Sequence, residues 1–436
     1  MAIKTPHWPP ITGHKSDIKL GLEGAHELLA RLGNPHEKLP PVVHFAGTNG
    51  KGSTLSFLRA ILESAGYKVH VYMSPNLVFF NERITLAGRE ISDEFLYETL
   101  EECRLAAGDD SQSSFFEGTT IAAFLAFSKV DADIVLLETG LGGRLDTTNV
   151  IEKPELTVIT PISYDHMDFL GNSLDKIAFE KAGIIKNNVP CVVSKQGDVA
   201  LEVLKTRAVE LNSEIYSYGD GWKVEILAES ESEDSYFSYK SNNAEYILPK
   251  PALDGVHQVE NASTAIACTE KLSSKFNISE GDIKAGLLNV NHRARMQKLS
   301  EGELFKNLPN DIEIWLDGGH NEAAAETLAD KMKIWQSENK DIYVVFAIID
   351  GKDADKFLQL LKKYTKKLYC VDILGFDYAI DKEKLNDLAL SKNINSEFSD
   401  SVKDAVDSIK ENTTKSSVIL VCGSLYLSGL VLSENR

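Results

Sequence analysis

The chain has 436 residues, 43% of them hydrophobic and 25% charged, with a formal net charge of −19. That length exceeds a single ordinary core, so two or three globular domains are expected. The acidic balance excludes a general binder of nucleic acid or anionic membrane, because phosphate contacts need clustered Lys and Arg, but it leaves room for one focused phosphate site.

The first strong element is Val42-Val43-His44-Phe45-Ala46-Gly47-Thr48-Asn49-Gly50-Lys51-Gly52-Ser53-Thr54. A β-prone run enters a Gly-rich turn with one lysine. A helix pattern follows, with Leu55, Leu58, Ile61, Leu62 and Ala65 on one face and Gly66 as its stop. Strand, loop and helix N-terminus form an anion cradle, since backbone N–H groups and the helix dipole converge there and Lys51 adds a full charge. The ordinary P-loop formula is not met: Phe45 stands where its first Gly belongs, and Gly52 follows the lysine, postponing the hydroxyl to Ser53. The plainer alternative is a glycine-rich turn that happens to hold a lysine.

Further along, Val69, Val71 and Met73 alternate with positions expected to be exposed, in a strand that stops at Ser74-Pro75. A helix over 119–129 leads to a buried run at 134–137 that ends in Glu138. Strands are expected over 156–162, ahead of Ser163-Tyr164-Asp165-His166, and over 189–194. Residues 222–248 read as a β-hairpin whose acidic, Ser-rich tip at 229–235 is a solvated run without function. The alternation restarts near 291–295, with strands over 312–316, 343–349, 367–373 and 417–422 and helices over 322–333 and 354–364. The fold class is therefore α/β: a P-loop-containing domain with a mostly parallel sheet over 1–294, and a smaller Rossmann-like domain over 295–436.

The five cysteines (Cys103, Cys191, Cys268, Cys370, Cys422) are dispersed without metal-ligand spacing, as buried residues in a reducing compartment would be. Residues 1–10 lack the apolar core of a signal peptide. The most apolar stretch, 418–432, is broken by Cys422-Gly423-Ser424 and Ser428-Gly429 and reads as a strand and turn. A soluble, cytoplasmic protein with no nucleic-acid or membrane partner is expected.

Ligands of open α/β sheets bind at the carboxyl ends of strands, so the polar residues there are the candidates. Glu138 ends one strand and opens Thr139-Gly140-Leu141-Gly142-Gly143-Arg144-Leu145-Asp146-Thr147. A carboxylate so placed suits Mg²⁺ beside phosphates; the alternative is a cap on the next turn. His166 follows another strand, although a loop histidine taken alone is more often structural or exposed.

The segment 47–53 resembles the phosphate loop of the Mur ligase superfamily, in its folylpolyglutamate synthase/dihydrofolate synthase branch. Matching runs follow in family order: the loop after Ser74-Pro75, Glu138 to Asp146, Asp165 to Gly171, Glu180 to Ile184, Gly255 to Ala262, Asp317 to Asn321 and Cys422 to Tyr426. The resemblance implies that Thr48, Asn49, Gly50, Lys51, Gly52 and Ser53 hold ATP phosphates, with Asn261, Arg295 and Asp317 completing the nucleotide site. It implies two Mg²⁺ sites with Ser74, Glu138, His166 and a carbamylated Lys181 as ligands; read alone, Lys181 is a surface helix lysine. It makes Lys51, His166, Lys181 and His320 the catalytic group. Ser114, Phe115, Phe116, Glu117, Leu145, Asp146 and Thr147 match positions that contact dihydropteroate, where aromatic faces and a carboxylate suit a flat heteroaromatic ring. Core packing before a helix is the alternative for the two phenylalanines.

The implied activity is ATP-dependent ligation of L-glutamate to dihydropteroate or reduced folates through an acyl phosphate, by a monomer. The family's Trp-Pro-Gly-Arg junction is replaced here by His292-Arg293-Ala294-Arg295, which keeps the arginine but alters an expected hinge. Two rivals are a Mur-type peptidoglycan amino-acid ligase and a non-catalytic P-loop regulator. The first is expected to carry a further N-terminal domain of about 100 residues or more. The second needs no second domain bearing Asp317 and His320.

Overall fold

The structure is a computed structural model that describes residues 8–9, 21–108, 113–227, 236–376, 378–413 and 415–435. Packing divides the chain into one unit of residues 1–252 and 258–291 and another of 253–257 and 292–436. The division falls just ahead of the 294/295 boundary read from the sequence, because Ala294 O accepts a hydrogen bond from Gly318 N in the second unit (3.0 Å).

The first unit runs α1 (Glu23–Arg31), β1 (Val42–Ala46), α2 (Lys51–Ser64), β2 (Val69–Tyr72), β3 (Ile84–Leu86), β4 (Arg89–Glu90), α3 (Asp93–Ala107), α4 (Phe115–Ser128) and β5 (Ile134–Glu138). It continues with β6 (Leu156–Ile159), α5 (Met167–Leu170), α6 (Leu174–Ala182), β7 (Cys191–Val193), α7 (Asp198–Glu210) and β8 (Ile215–Ser217). Then come β9 (Trp222–Ile226), β10 (Tyr236–Ser241), β11 (Glu245–Pro249), α8 (Val256–Leu272) and α9 (Glu280–Asn289). Eight strands form a sheet in the order β4-β3-β2-β5-β1-β6-β7-β8, parallel from β2 to β8 with β3 and β4 antiparallel at one edge.

Parallel sheets covered by helices read as continuous apolar runs, and β1 and β5 are buried at every position. One apolar cluster packs α1, α3 and α4 onto Tyr72, Val135 and Leu137. Another packs α6 and α7 onto Ala46, Ile159 and Val193. The alternation expected in β2 is therefore wrong, since His70 and Tyr72 are as buried as their neighbours. His70 accepts at Nδ1 from Ala87 N (3.0 Å), faces Val130 O with Nε2 (2.9 Å) and stacks on Phe127. The Tyr72 hydroxyl meets Thr120 Oγ1 at 2.9 Å. Polar side chains with such partners can line a second buried face, which simple alternation does not anticipate.

The expected hairpin is a three-stranded antiparallel sheet, β11-β10-β9. The turn at 242–243 adds a strand, because Ser241 Oγ accepts from the N–H groups of both Asn243 and Ala244 (3.0 Å each). The acidic run at 229–235 lies outside the described residues.

The second unit runs β12 (Gln297–Leu299), β13 (Ile312–Leu316), α10 (Glu322–Ser337), β14 (Asp341–Phe346), α11 (Ala354–Leu361), β15 (Lys367–Cys370), α12 (Lys382–Ser391), β16 (Ser396–Phe398), α13 (Val402–Asn412), β17 (Ser417–Cys422) and α14 (Leu425–Glu434). Its sheet has the order β12-β13-β17-β14-β15-β16, parallel except for β12. The stretch read as strand and turn is β17 followed by a helix. Ser424 caps α14 by accepting from Tyr426 N (3.1 Å), and the small residues Ser428 and Gly429 lie on its buried side. No helix among the described residues is long and apolar enough to cross a membrane.

Candidate active site

In the first unit the expected residues gather at the carboxyl ends of parallel strands, where open α/β sheets place their ligands. The phosphate loop leaves β1 at Gly47, where a Cβ would lie 1.8 Å from Thr160 Oγ1. Gly50 sits at φ +80° beside Asn261, whose Oδ1 would be 2.4 Å from an added Cβ. No other residue type fits both demands there, a left-handed backbone and a side-chain amide pressed against it. Asn261 is held in turn by donating its Nδ2 to Gln258 Oε1 (3.0 Å). Thr48 N and Asn49 N both donate to Pro161 O (2.9 and 3.2 Å), and Thr48 Oγ1 donates to Ser163 O (3.0 Å). Helix α2 begins at Lys51, so the N–H groups of Lys51, Gly52 and Ser53 have no intrahelical acceptor and form the anion-facing end.

Two amines converge on this loop. Lys51 Nζ lies 3.1 Å from Gly47 O, and Lys181 Nζ, from α6, lies 2.8 Å from the same oxygen. Lys181 is buried, not the surface lysine that the helix pattern alone suggests. Desolvation, and then the Lys51 charge, pushes its ammonium down to about 7, with Asp165 and Asp146 pulling the other way. An amine so tuned is available in part as the neutral form, the one that reacts with CO₂. Glu138 lies behind the loop at the end of β5, buried, 4.0 Å from Lys51 Nζ, and its Oε2 accepts from Ser74 N (3.2 Å). His166 is exposed, at φ +51° in the N-cap position of α5, with its Nε2 3.9 Å from Asp165 Oδ1.

Among the described residues no three His, Cys, Asp or Glu side chains gather as a metal site. What the loop offers is one buried carboxylate, Glu138, beside Ser74. That donor set fits Mg²⁺, which keeps several waters and binds through one or two carboxylates plus substrate phosphates.

Asp146 is buried and accepts from four donors: Gly140 N (2.9 Å), Leu141 N (2.8 Å), Thr148 N (3.0 Å) and Thr148 Oγ1 (2.5 Å). It thereby ties the 140–148 loop together, with Thr147 in a short 3₁₀ turn that it caps. Burial raises its carboxyl pKa against the pull of those bonds. Ser114 and Glu117 form a capping box for α4: Glu117 N donates to Ser114 Oγ (3.2 Å) and Ser114 N to Glu117 Oε2 (2.8 Å). Phe115 and Phe116 occupy the first turn they frame. Phe116 lies against Gly140, where a Cβ would meet its ring at 2.4 Å, and Phe115 packs edge-on to Phe80 at 6.0 Å. Leu145 is half-buried in the neighbouring loop.

The loop after Ser74-Pro75 has an internal construction that its sequence does not announce. Glu82 accepts from Leu77 N (2.7 Å), Val78 N (3.2 Å) and Phe79 N (3.0 Å). Arg83 donates to Asn76 Oδ1 (2.7 Å), with its guanidinium 5.6 Å from the Phe80 ring centre and 5.3 Å from that of Phe115.

The second unit brings Arg295, Asp317 and His320 into neighbouring loops. Asp317 follows β13 and uses both oxygens on backbone, Oδ2 accepting from Met296 N (2.8 Å) and Oδ1 from Gly319 N (2.7 Å). Arg295 sits between two left-handed residues, Ala294 (φ +56°) and Met296 (φ +43°), and Ala294 N donates to Gln297 Oε1 (2.9 Å). The family's glycine position is thus a left-handed one here, occupied by alanine and pinned on both sides. The His320 Nδ1 lies 3.2 Å from Gly318 O.

A phosphate loop at a helix N-terminus, a strand-end carboxylate and a second α/β unit define a nucleotide-binding protein of Mur-ligase type. Comparison with known proteins agrees: residues 45–269 match the Mur ligase middle domain family, and residues 300–434 match the dihydrofolate synthetase C-terminal domain. The dihydrofolate synthase/folylpolyglutamate synthase of Bacillus subtilis is 34% identical over 420 residues, covering 94% of each chain. A solved structure of E. coli FolC in complex with DHPP and ADP superposes with a TM-score of 0.85 at 31% identity, over 97% of this chain and 94% of that one. A bifunctional folylpolyglutamate synthase/dihydrofolate synthase solved with Mn, AMPPNP and L-glutamate has a TM-score of 0.82 at 28% identity, over 95% and 94%. The chain belongs to the dihydrofolate synthase/folylpolyglutamate synthase family of Mur ligases.

Proposed function

We propose that this protein is an ATP-dependent ligase that joins L-glutamate to dihydropteroate and to reduced folates. The observation that carries the reading is the convergence of two lysine amines on Gly47 O at the start of α2, with Glu138 at the adjacent strand end. Such a site, with Lys51 and the free N–H groups of α2 at its mouth, suits a polyphosphate. The pterin carboxylate attacks the γ-phosphorus of ATP; ADP leaves and an acyl phosphate forms. The glutamate amine then attacks the acyl carbon, phosphate departs, and the amine gives up its proton as the amide forms.

Lys51 and the N–H groups of residues 51–53 neutralise charge on the moving phosphoryl group, with Thr48 and Asn49 setting the loop and Asn261 shaping its glycine turn. In the second unit Arg295, on the turn that Asp317 shapes, is the candidate nucleotide contact, with His320 on the neighbouring loop as the candidate phosphoryl contact. Mg²⁺ supplies electrostatic activation of the phosphates, and Glu138, Ser74 and His166 are its candidate ligands, at two sites. Lys181, with its amine held near neutrality, is the candidate for carbamylation and so for a further oxygen ligand. The pterin ring lies against Phe115, Phe116, Leu145 and Thr147, in a pocket whose walls are set by Ser114, Glu117 and Asp146. The protein acts as a cytoplasmic monomer.

The test is ADP release with dihydropteroate, with tetrahydrofolate and with a UDP-muramyl peptide precursor, each with and without L-glutamate. Glutamate-dependent release with both pterin acids is expected. Release with the UDP-muramyl compound alone would favour a cell-wall ligase, and none with any of them a regulator.

A further inference from the structure

The loop that holds the phosphate site is itself held from behind, by residues that no part of the site reading uses. Strands β6 and β7 pair up to Ile159 and Val193, and Ser194 N adds one more bond to Ile159 O (2.9 Å). There the ladder must stop, because Pro161 has no N–H to continue it. The Gln196 side chain takes over: its Oε1 accepts from Ile162 N (3.0 Å) and its Nε2 donates to Thr160 O (3.0 Å). One amide thus clamps the two residues flanking Pro161, and pairing with one N–H and one C=O fixes which end is oxygen.

What Gln196 clamps is the support of the phosphate loop. Pro161 O receives the N–H groups of Thr48 and Asn49 (2.9 and 3.2 Å). Thr160 presses its hydroxyl against Gly47, and Ser163 exchanges hydrogen bonds with Thr48 Oγ1, donating through N at 3.1 Å and accepting at O at 3.0 Å. The two residues before Gln196 reach the other wall. Ser194 Oγ meets Thr264 Oγ1 at 2.9 Å, and Lys195 Nζ donates to Glu260 Oε1 at 2.8 Å, both on α8, which carries Asn261 against Gly50. Three consecutive residues therefore tie together both structures that contact the phosphate loop.

We propose that Ser194-Lys195-Gln196 is a brace that sets nucleotide affinity, with Gln196 as a positioning residue for Thr48 and Asn49. The inference rests on the reading of residues 47–53 as the ATP phosphate site. A drift of Pro161 O would shift Thr48 and Asn49, and with them the Lys51, Gly52 and Ser53 N–H groups that face a bound phosphate, and aligned donors carry the binding there.

The test compares Gln196→Met, close to isosteric but unable to make either bond, with Gln196→Glu, which keeps the acceptor for Ile162 N and sets a carboxylate against Thr160 O. Both are measured beside Lys51→Ala in the full-length protein. The readouts are binding of a non-hydrolysable ATP analogue and the KM values for ATP, dihydropteroate and L-glutamate. Gln196→Met should raise the ATP KM and the analogue Kd about tenfold, the size of losing one or two hydrogen bonds, and Gln196→Glu at least as much. KM for the other two substrates should stay within about twofold at temperatures well below melting. An unchanged ATP KM in both variants, or an equal rise for all three substrates, overturns the brace while Lys51→Ala still loses nucleotide binding. If Lys51→Ala binds nucleotide normally, the phosphate-loop reading itself fails, and the brace with it.

Discussion

At Gly47 two lysine amines share one carbonyl oxygen, whereas at Asp317 one carboxylate takes two backbone N–H groups. The first arrangement sets Lys51 and the free N–H groups at the start of α2 around a partly buried loop, and a bound anion takes up those donors. The second is complete in itself: Asp317 spends both oxygens on shaping the turn that carries Arg295. Charge in one unit is therefore poised for chemistry, while charge in the other maintains geometry. Removing a group from the first should reduce the rate steeply; removing one from the second should act through position and cost less.

Lys51→Ala tests the first half of that contrast most severely. ATP-dependent turnover should fall by at least about 10²-fold, the effect of losing one preorganised electrostatic donor, with the melting temperature nearly unchanged. Steady-state kinetics and a thermal melt check it, and near-normal turnover would mean that the loop is not the ATP site.

Lys181→Ala should also abolish most turnover, by about 10²-fold, with partial recovery when short carboxylates are added to fill the ligand position. The unmodified lysine also leaves a stability signature. Its pKa of about 7 in the folded chain lies below the ordinary value of 10.5, so between those limits the unfolded chain binds the extra proton. Stability should therefore rise with pH across that window, and Lys181→Met should flatten the slope. Urea denaturation at pH 7 and pH 9 measures this, and equal slopes in the two proteins would contradict a buried, depressed amine.

Asp317→Ala removes the acceptor from Met296 N and Gly319 N without removing a charge that faces phosphate. A loss of about tenfold is expected, carried mainly by the ATP KM, because Arg295 is mispositioned but present. A loss as large as that of Lys51→Ala would erase the distinction between the two regions and give Asp317 a direct role.

The smallest effect is expected at Ala294→Gly. Alanine at φ +56° costs about 1 kcal/mol against glycine, part of which glycine's greater freedom in the unfolded chain takes back. A net gain of about 0.5 kcal/mol in denaturant unfolding is the expected result. A clear loss of stability would show that the left-handed turn is not strained.

Much of this was legible in the linear chain where the signal is local. The run from Val42 to Ser64 announces strand, loop and helix within one window, since β-branched residues, Gly47, Gly50 and the helical spacing of leucines follow one another directly. Glu138 was readable as a strand-end carboxylate for the same reason. The α/β alternation also carried the fold class, although α1, α3, α7, α8 and α9, the short strands β3, β4, β8, β12 and β16, and the last three helices escaped it. The polar but buried His70 and Tyr72 hid a face, and the interior Gly429 of α14 hid a helix.

The sequence by itself determined the class of fold and the glycine-rich turn from β1 into α2, because periodicity and turn chemistry are properties of a few adjacent residues. Only the tertiary structure decided that Lys181 is a buried amine with a lowered pKa rather than a surface charge. Only there does Asp146 tie up its own loop, and only there does Gln196 clamp the support of Thr48 and Asn49. The roles of Lys181 and Gln196 depend on partners far away in the chain, such as Gly47 for Lys181, and on which helix covers which strand. Desolvation and aligned donors exist only once those distant segments are packed together.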